Sequence, residues 1–258
     1  MAIFSFPLAQ AQIFFLIMLR ISATIVFLPI FSSRNIPMIF KIGLALCVSF
    51  ILFPILTSSK APFIIEPVSF LIGIAGEIII GVIIGLCVRL IFTAVQLSGQ
   101  LVGFQMGFAI ANVMDPVTSS HSSIIAQLNN LIALMIFLAV NAHHLLLQGM
   151  VESFRLVPLF GFSFSNSLME QFMKLSCNMF IIAIKIGSPI IVALLLTSVA
   201  FGLIARTVPQ MNIFIVAMPL KIVIGMLFLA LSLPFLSNYL RELFNGLGNT
   251  ILLLLNAM

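Results

Sequence analysis

Five ionisable side chains sit inside long apolar runs of this sequence: Arg20, Glu77, Arg89, Lys185 and Lys221. A charge at the centre of a membrane helix costs roughly 2.5–3.5 kcal/mol on insertion scales, so each must pair, reach the interface or meet water. Four of the five are cationic, and they cannot all be neutralised within these runs. Arg89, Lys185 and Lys221 have stems long enough to snorkel. Glu77 has a short stem and is expected to pair with a cation on another helix or to face a water-filled space.

Catalytic chemistry finds little support. No Lys is followed by Ser or Thr, so there is no Walker A phosphate loop, and neither HExxH nor GxSxG occurs. His143 and His144 are adjacent, hence about 100° apart on a helix, a poor geometry for chelating one metal. With Asn141 they are expected to hydrogen-bond near a helix end. Cys47, Cys87 and Cys177 are odd in number, far apart and set in apolar runs, which suits small buried hydrophobes. The sequence therefore points to no catalytic residue, no metal and no cofactor. Pro189 and Pro219 lie inside apolar runs and should kink them, freeing carbonyls. Broken helices of that kind bind substrate at the midplane of secondary transporters. A stand-alone transporter of a small solute is thus an alternative, although it has no visible repeat and a single in-span acid.

Composition fixes the elements that must hold these residues. The 258 residues are 62% hydrophobic and 7% charged, where soluble domains carry about a quarter charged residues, and the mean hydropathy is +1.33. This is the composition of an all-α membrane protein with about six hydrophobic helical segments, several of them broken or kinked. The net charge of +5 comes from eleven Lys and Arg scattered singly, with no cluster to neutralise successive phosphates, so nucleic acid is excluded as a partner. Spans are expected over about 8–31, 36–57, 68–97, 124–147, 175–203 and 212–236. Arg20 interrupts the first, and no basic residue precedes it, so it reads as a retained span and not a signal peptide. The third run exceeds the roughly twenty residues that cross a bilayer core and must tilt, break or project. Residues 149–174, with Glu152, Arg155, Glu170 and Lys174, form the most polar connection. The turn IARTVPQM joins the last two spans as a hairpin, and 237–258 is an amphipathic tail. Loop cations divide three against four, Arg34, Lys41 and Arg206 opposing Lys60, Arg155, Lys174 and Arg241, which leaves the orientation undecided.

Gly81 and Gly85 recur at four-residue spacing, and so do Gly99, Gly103 and Gly107. Each set gives a helix face on which another backbone can come close. After the second set come Asn112, Asp115, Pro116 and the polar run Thr118–Ser123, none of which belongs in hydrocarbon, so the helix is expected to end there.

The run GQLVGFQMGFAIANVMDP, the segment NAHHLLL and the stretch SPIIVALLLTSVAFGLIARTVPQMNIFIVAMPLKIVIGM together resemble the FliR/SctT family. That family is the R or T subunit of the type III secretion export gate, and the resemblance covers nearly the whole chain. The PQMN turn leans towards the flagellar branch over the injectisome. The resemblance implies a P-like part (1–148), a Q-like hairpin (175–236) and assembly with P-type and Q-type subunits (FliP, FliQ), with the B-type switch subunit FlhB as a further partner. It implies a place in the bacterial inner membrane at the flagellar basal body, among membrane lipids, with unfolded flagellar proteins as cargo and energy supplied by other components. It also implies a plug at 104–120, in which Phe104, Met106, Phe108, Ile110, Val113 and Met114 close the channel and Asp115–Pro116 forms the turn. Lys185, Arg206 and Lys221 would then meet acidic groups on neighbouring subunits.

Overall fold

An apolar segment in lipid must satisfy its backbone N–H and C=O groups internally, and a helix does so within one stretch of chain. The computed structural model, which describes residues 8–31, 36–57, 67–108, 123–207 and 213–258, is built from helices accordingly. They are α1 (Leu8–Phe27), α2 (Met38–Thr57), α3 (Pro67–Met106), α4 (Ile124–Ala139), α5 (Ala142–Leu156), α6 (Asn166–Thr207), α7 (Ile213–Asn245) and α8 (Leu247–Leu255). Five are long and apolar enough to cross a membrane, or six spans if the pair α4 and α5 counts as one. The chain is an all-α membrane protein.

Three boundaries depart from expectation. The third run does not break: α3 holds 40 residues, a length of about 60 Å, or roughly twice a bilayer core. The fourth run does break. Asn141 takes a left-handed conformation at φ 56°, and it separates α4 from α5. Asn tolerates that region better than other residues with a Cβ. The helix beyond it, α5, occupies the start of the polar connection, and α6 begins at Asn166. Finally, α7 continues past Leu236 to Asn245, and α8 lies within the expected tail.

The chain clusters into two compact units, and α3 and α6 each contribute to both. The first comprises Met1–Leu90, Asn141–Leu175 and Gly246–Met258. Within it α1 packs on α2, and α5 on α8. Phe14 and Phe53 meet edge to face at 5.7 Å. The glycine pair of α3 serves α1: a Cβ at Gly85 would lie 2.5 Å from Phe27 Cβ, and one at Gly81 would strike the carbonyl oxygen of Arg20. The second unit comprises Ile91–Val140 and Ser176–Asn245. Its α4 packs on α7. Phe92, Phe137 and Phe244 form one aromatic knot, with centroids 5.2–5.7 Å apart.

Candidate functional site

In the second unit, the site forms where α3 ends. A Cβ at Gly99 would lie 2.5 Å from Ala126 Cα, and one at Gly103 would strike Ser123 Oγ, so this face of α3 admits the start of α4 at backbone range. Gly107 differs from its neighbours in the series. The space for a Cβ there is open, with Met218 Cγ nearest at 4.0 Å, and its φ is +95°. Its N–H donates to the Phe104 carbonyl at 3.1 Å. A left-handed glycine closing on the last turn ends a helix, so Gly107 acts as the terminator and not as a packing position. Phe104 and Met106 consequently belong to the last turn of α3.

Their side chains diverge. Phe104 is 71% exposed, whereas Met106 is completely buried with Val102, Ile125, Ile190, Leu194 and Leu229. Phe108 packs, partly buried, against the same cluster. Beside the helix end lies a groove of about 470 Å³ whose walls include Phe104, Met106, Phe201, Met218 and Lys221. Gln105 also lines it, and the buried Oε1 of Gln105 has no hydrogen-bond partner among the described residues. Ile110, Val113, Met114, Asp115 and Pro116 lie outside the described residues, as does the PQMN turn.

The remaining cations take separate places. Lys185 Nζ stands 5.9 Å from the Tyr239 ring centroid, within cation–π range. Arg89 lies over Phe27 at 5.7 Å. Arg206 is exposed in the last turn of α6, where its charge complements the helix dipole. Lys221, half-buried in the groove wall, has no ion-pair partner among the described residues. Pro189 lies within α6 and Pro219 within α7, which also carries Pro234. The rings of His143 and His144 are 4.2 Å apart at the start of α5. The buried Nδ1 of His143 has no hydrogen-bond partner among the described residues, so the expected bond at this helix end is not seen there.

In the first unit, Glu77 and Arg20 are each 1% exposed, and Arg20 Nε donates to Glu77 Oε2 at 2.5 Å. Arg20 Nη1 donates to the carbonyls of Ser153 and Val157, at 2.9 and 3.0 Å, and to Ser153 Oγ at 3.3 Å. Its guanidinium also stacks 4.2 Å from the Phe154 ring. One arginine thereby neutralises a carboxylate on α3 and caps the terminal carbonyls of α5, two tasks its planar fork suits. Beyond that cap, Phe160 and Phe162 fill the spaces that side chains at Gly73 and Gly76 would need. Sequence reasoning found both charges but did not join them, because the partners lie far apart along the chain.

The bacterial export proteins, family 1, match residues 11–247 of the chain. The flagellar biosynthetic protein FliR of Bacillus subtilis (strain 168) is 37% identical over 235 residues, which cover 90% of each chain. FliR of Escherichia coli (strain K12) is 29% identical over 245 residues, 95% of this chain and 93% of that one. FliR of Aquifex aeolicus (strain VF5) is 29% identical over 231 residues, 87% of this chain and 88% of that one.

Proposed function

This chain belongs to the bacterial export proteins, family 1, and we propose that within it the segment leaving α3 at Gly107 closes the export path. The chain is a subunit of the flagellar type III protein export gate, a membrane component of the flagellar export apparatus. The observation that carries the gating role is the helix end itself. A left-handed Gly107 turns the chain out of α3 beside a groove walled by Phe104, Met106, Phe201 and Met218. Phe108, Ile110, Val113 and Met114 supply the apolar closure and Asp115–Pro116 its turn, with Phe104 and Met106 as its root. A closure must seal against ions yet yield to a passing chain, and flexible Met side chains repack between arrangements. Opening is then a shift of population towards the packing that an arriving unfolded protein contacts better.

Its partners in this reading are FliP and FliQ, the P-type and Q-type subunits, with FlhB as the B-type switch subunit, in the bacterial inner membrane. Residues 1–148 form the P-like part and 175–236 the Q-like hairpin. Two features support such an assembly: the exposed apolar face of α2, with Met38, Ile39, Phe40 and Phe50, and α3 and α6 of 40 and 42 residues, longer than a bilayer core requires. Chemistry is not part of the role; the subunit binds, encloses and gates. Deleting Phe108 to Met114 is expected to leave the complex assembled and to raise its ion conductance in planar bilayers. Unchanged conductance in the assembled deletion variant would overturn the gating role.

A further inference from the structure

We propose that Met106 and Gly225 form the latch that holds the gate segment closed, Met106 being the knob and Gly225 the notch. The inference rests on the gating role of the segment after α3 and names what positions it. Met106 is the last residue of α3, completely buried, and separated from Phe108 only by the helix-ending Gly107. Its side chain occupies the space that any Cβ at Gly225 of α7 would need: Cγ lies 2.8 Å and Sδ 3.0 Å from that position, and Cε is closer still. The Cγ and Cε distances are shorter than real Cβ atoms show, so any side chain at 225 must displace Met106.

The knob is surrounded on every side. Val102 of α3, Ile125 of α4, Ile190 and Leu194 of α6 and Leu229 of α7 form the cluster in which Met106 sits, and Phe108 packs on its border. Met106 therefore fixes the position from which the chain leaves α3, and Phe108 follows it. A methionine anchors less rigidly than a branched side chain, since three rotatable bonds let it withdraw without moving the backbone. Close-packed interiors switch between discrete arrangements and do not deform smoothly. A knob that is either seated or withdrawn has this character. Gly225 sets the balance because any side chain there would take room that the seated form occupies.

The test compares ion conductance of the assembled hetero-oligomeric complex, reconstituted in planar bilayers, between the unaltered chain and four variants. Gly225→Ala should raise closed-state conductance about fivefold or more, the shift in populations that overpacking of a core by one methyl produces. Met106→Ala, which lacks the Cγ, Sδ and Cε that occupy the added methyl's space, should bring the Gly225→Ala complex back to within about twofold of the unaltered conductance. Gly248→Ala on α8, where nothing lies within 4 Å of the added methyl, should change nothing. Deletion of Phe108 to Met114 separates the two ideas. If the deletion leaks and Gly225→Ala does not, the latch is wrong and the gate stands; if neither leaks, both are wrong. Should Gly225→Ala fail to assemble, the double variant is expected to restore assembly, and its failure to do so also overturns the latch.

Discussion

Among the described residues, the Arg20–Glu77 contact is the ion pair buried most completely, each side chain being 1% exposed. Both groups are buried, and breaking a buried pair by removing one member typically costs about 3–5 kcal/mol, since the other charge is left uncompensated. Glu77→Ala should therefore lower the thermal midpoint of the purified complex sharply. Replacing both residues by Met should be milder than Glu77→Ala alone, because an apolar pair leaves no buried charge. It should not be neutral, since the Val157 carbonyl loses its donor and the Ser153 carbonyl keeps only the Val157 N–H. A double variant as unstable as Glu77→Ala would contradict this account. A carboxylate on a short stem inside residues 68–97 announces in sequence that it needs a partner. The identity of that partner is not readable, because Arg20 is 57 residues away and three other in-span cations, Arg89, Lys185 and Lys221, compete for the role. Met106 and Gly225 were still less legible. Nothing in either run marks one methionine as the knob for one particular glycine.

Among the elements, the break between α4 and α5 is the feature most exposed to a single change. Asn141 holds φ 56° between them, a region that costs roughly 1–2 kcal/mol for residues with an ordinary side chain. Asn141→Val should destabilise the complex by about that amount, and Asn141→Gly should be neutral or mildly stabilising. Chemical denaturation of the complex reads both, and equal midpoints for the two variants would remove the strain argument. The sequence makes 124–147 look like one span because hydropathy does not register a single left-handed residue. Glycine spacing was more informative. Gly81 and Gly85 face α1, and Gly99 and Gly103 face the start of α4, each at backbone range. The third member of the longer series, Gly107, shares the spacing but not the role, because its backbone has already left the helical region.

For the whole molecule, class was legible from composition alone, since 7% charged residues leave no means of covering a water-facing surface. The division into two units was not. Each draws on segments distant in sequence, and such groupings depend on which faces meet and not on where polar stretches fall. The surface left over is extensively apolar along α2, α6 and α7, and cations punctuate it. Lys221→Met should weaken co-purification of the P- and Q-type subunits if that ammonium meets an acid on a neighbour. A complex that survives the change at full yield would assign Lys221 to the lipid interface or to its own groove.

The buried arginine also imposes a timetable. Arg20 is synthesised 57 residues before Glu77 and 133 before Ser153. At roughly 5–20 residues per second, the first span exists for several seconds with a guanidinium that nothing in its own chain can answer. The insertion machinery, or the membrane surface, must shelter that charge until α3 emerges. The carbonyls of α5 arrive later still. A nascent chain truncated before Glu77 should therefore slip out of the membrane more readily than one truncated just after it, even though both carry the same first helix.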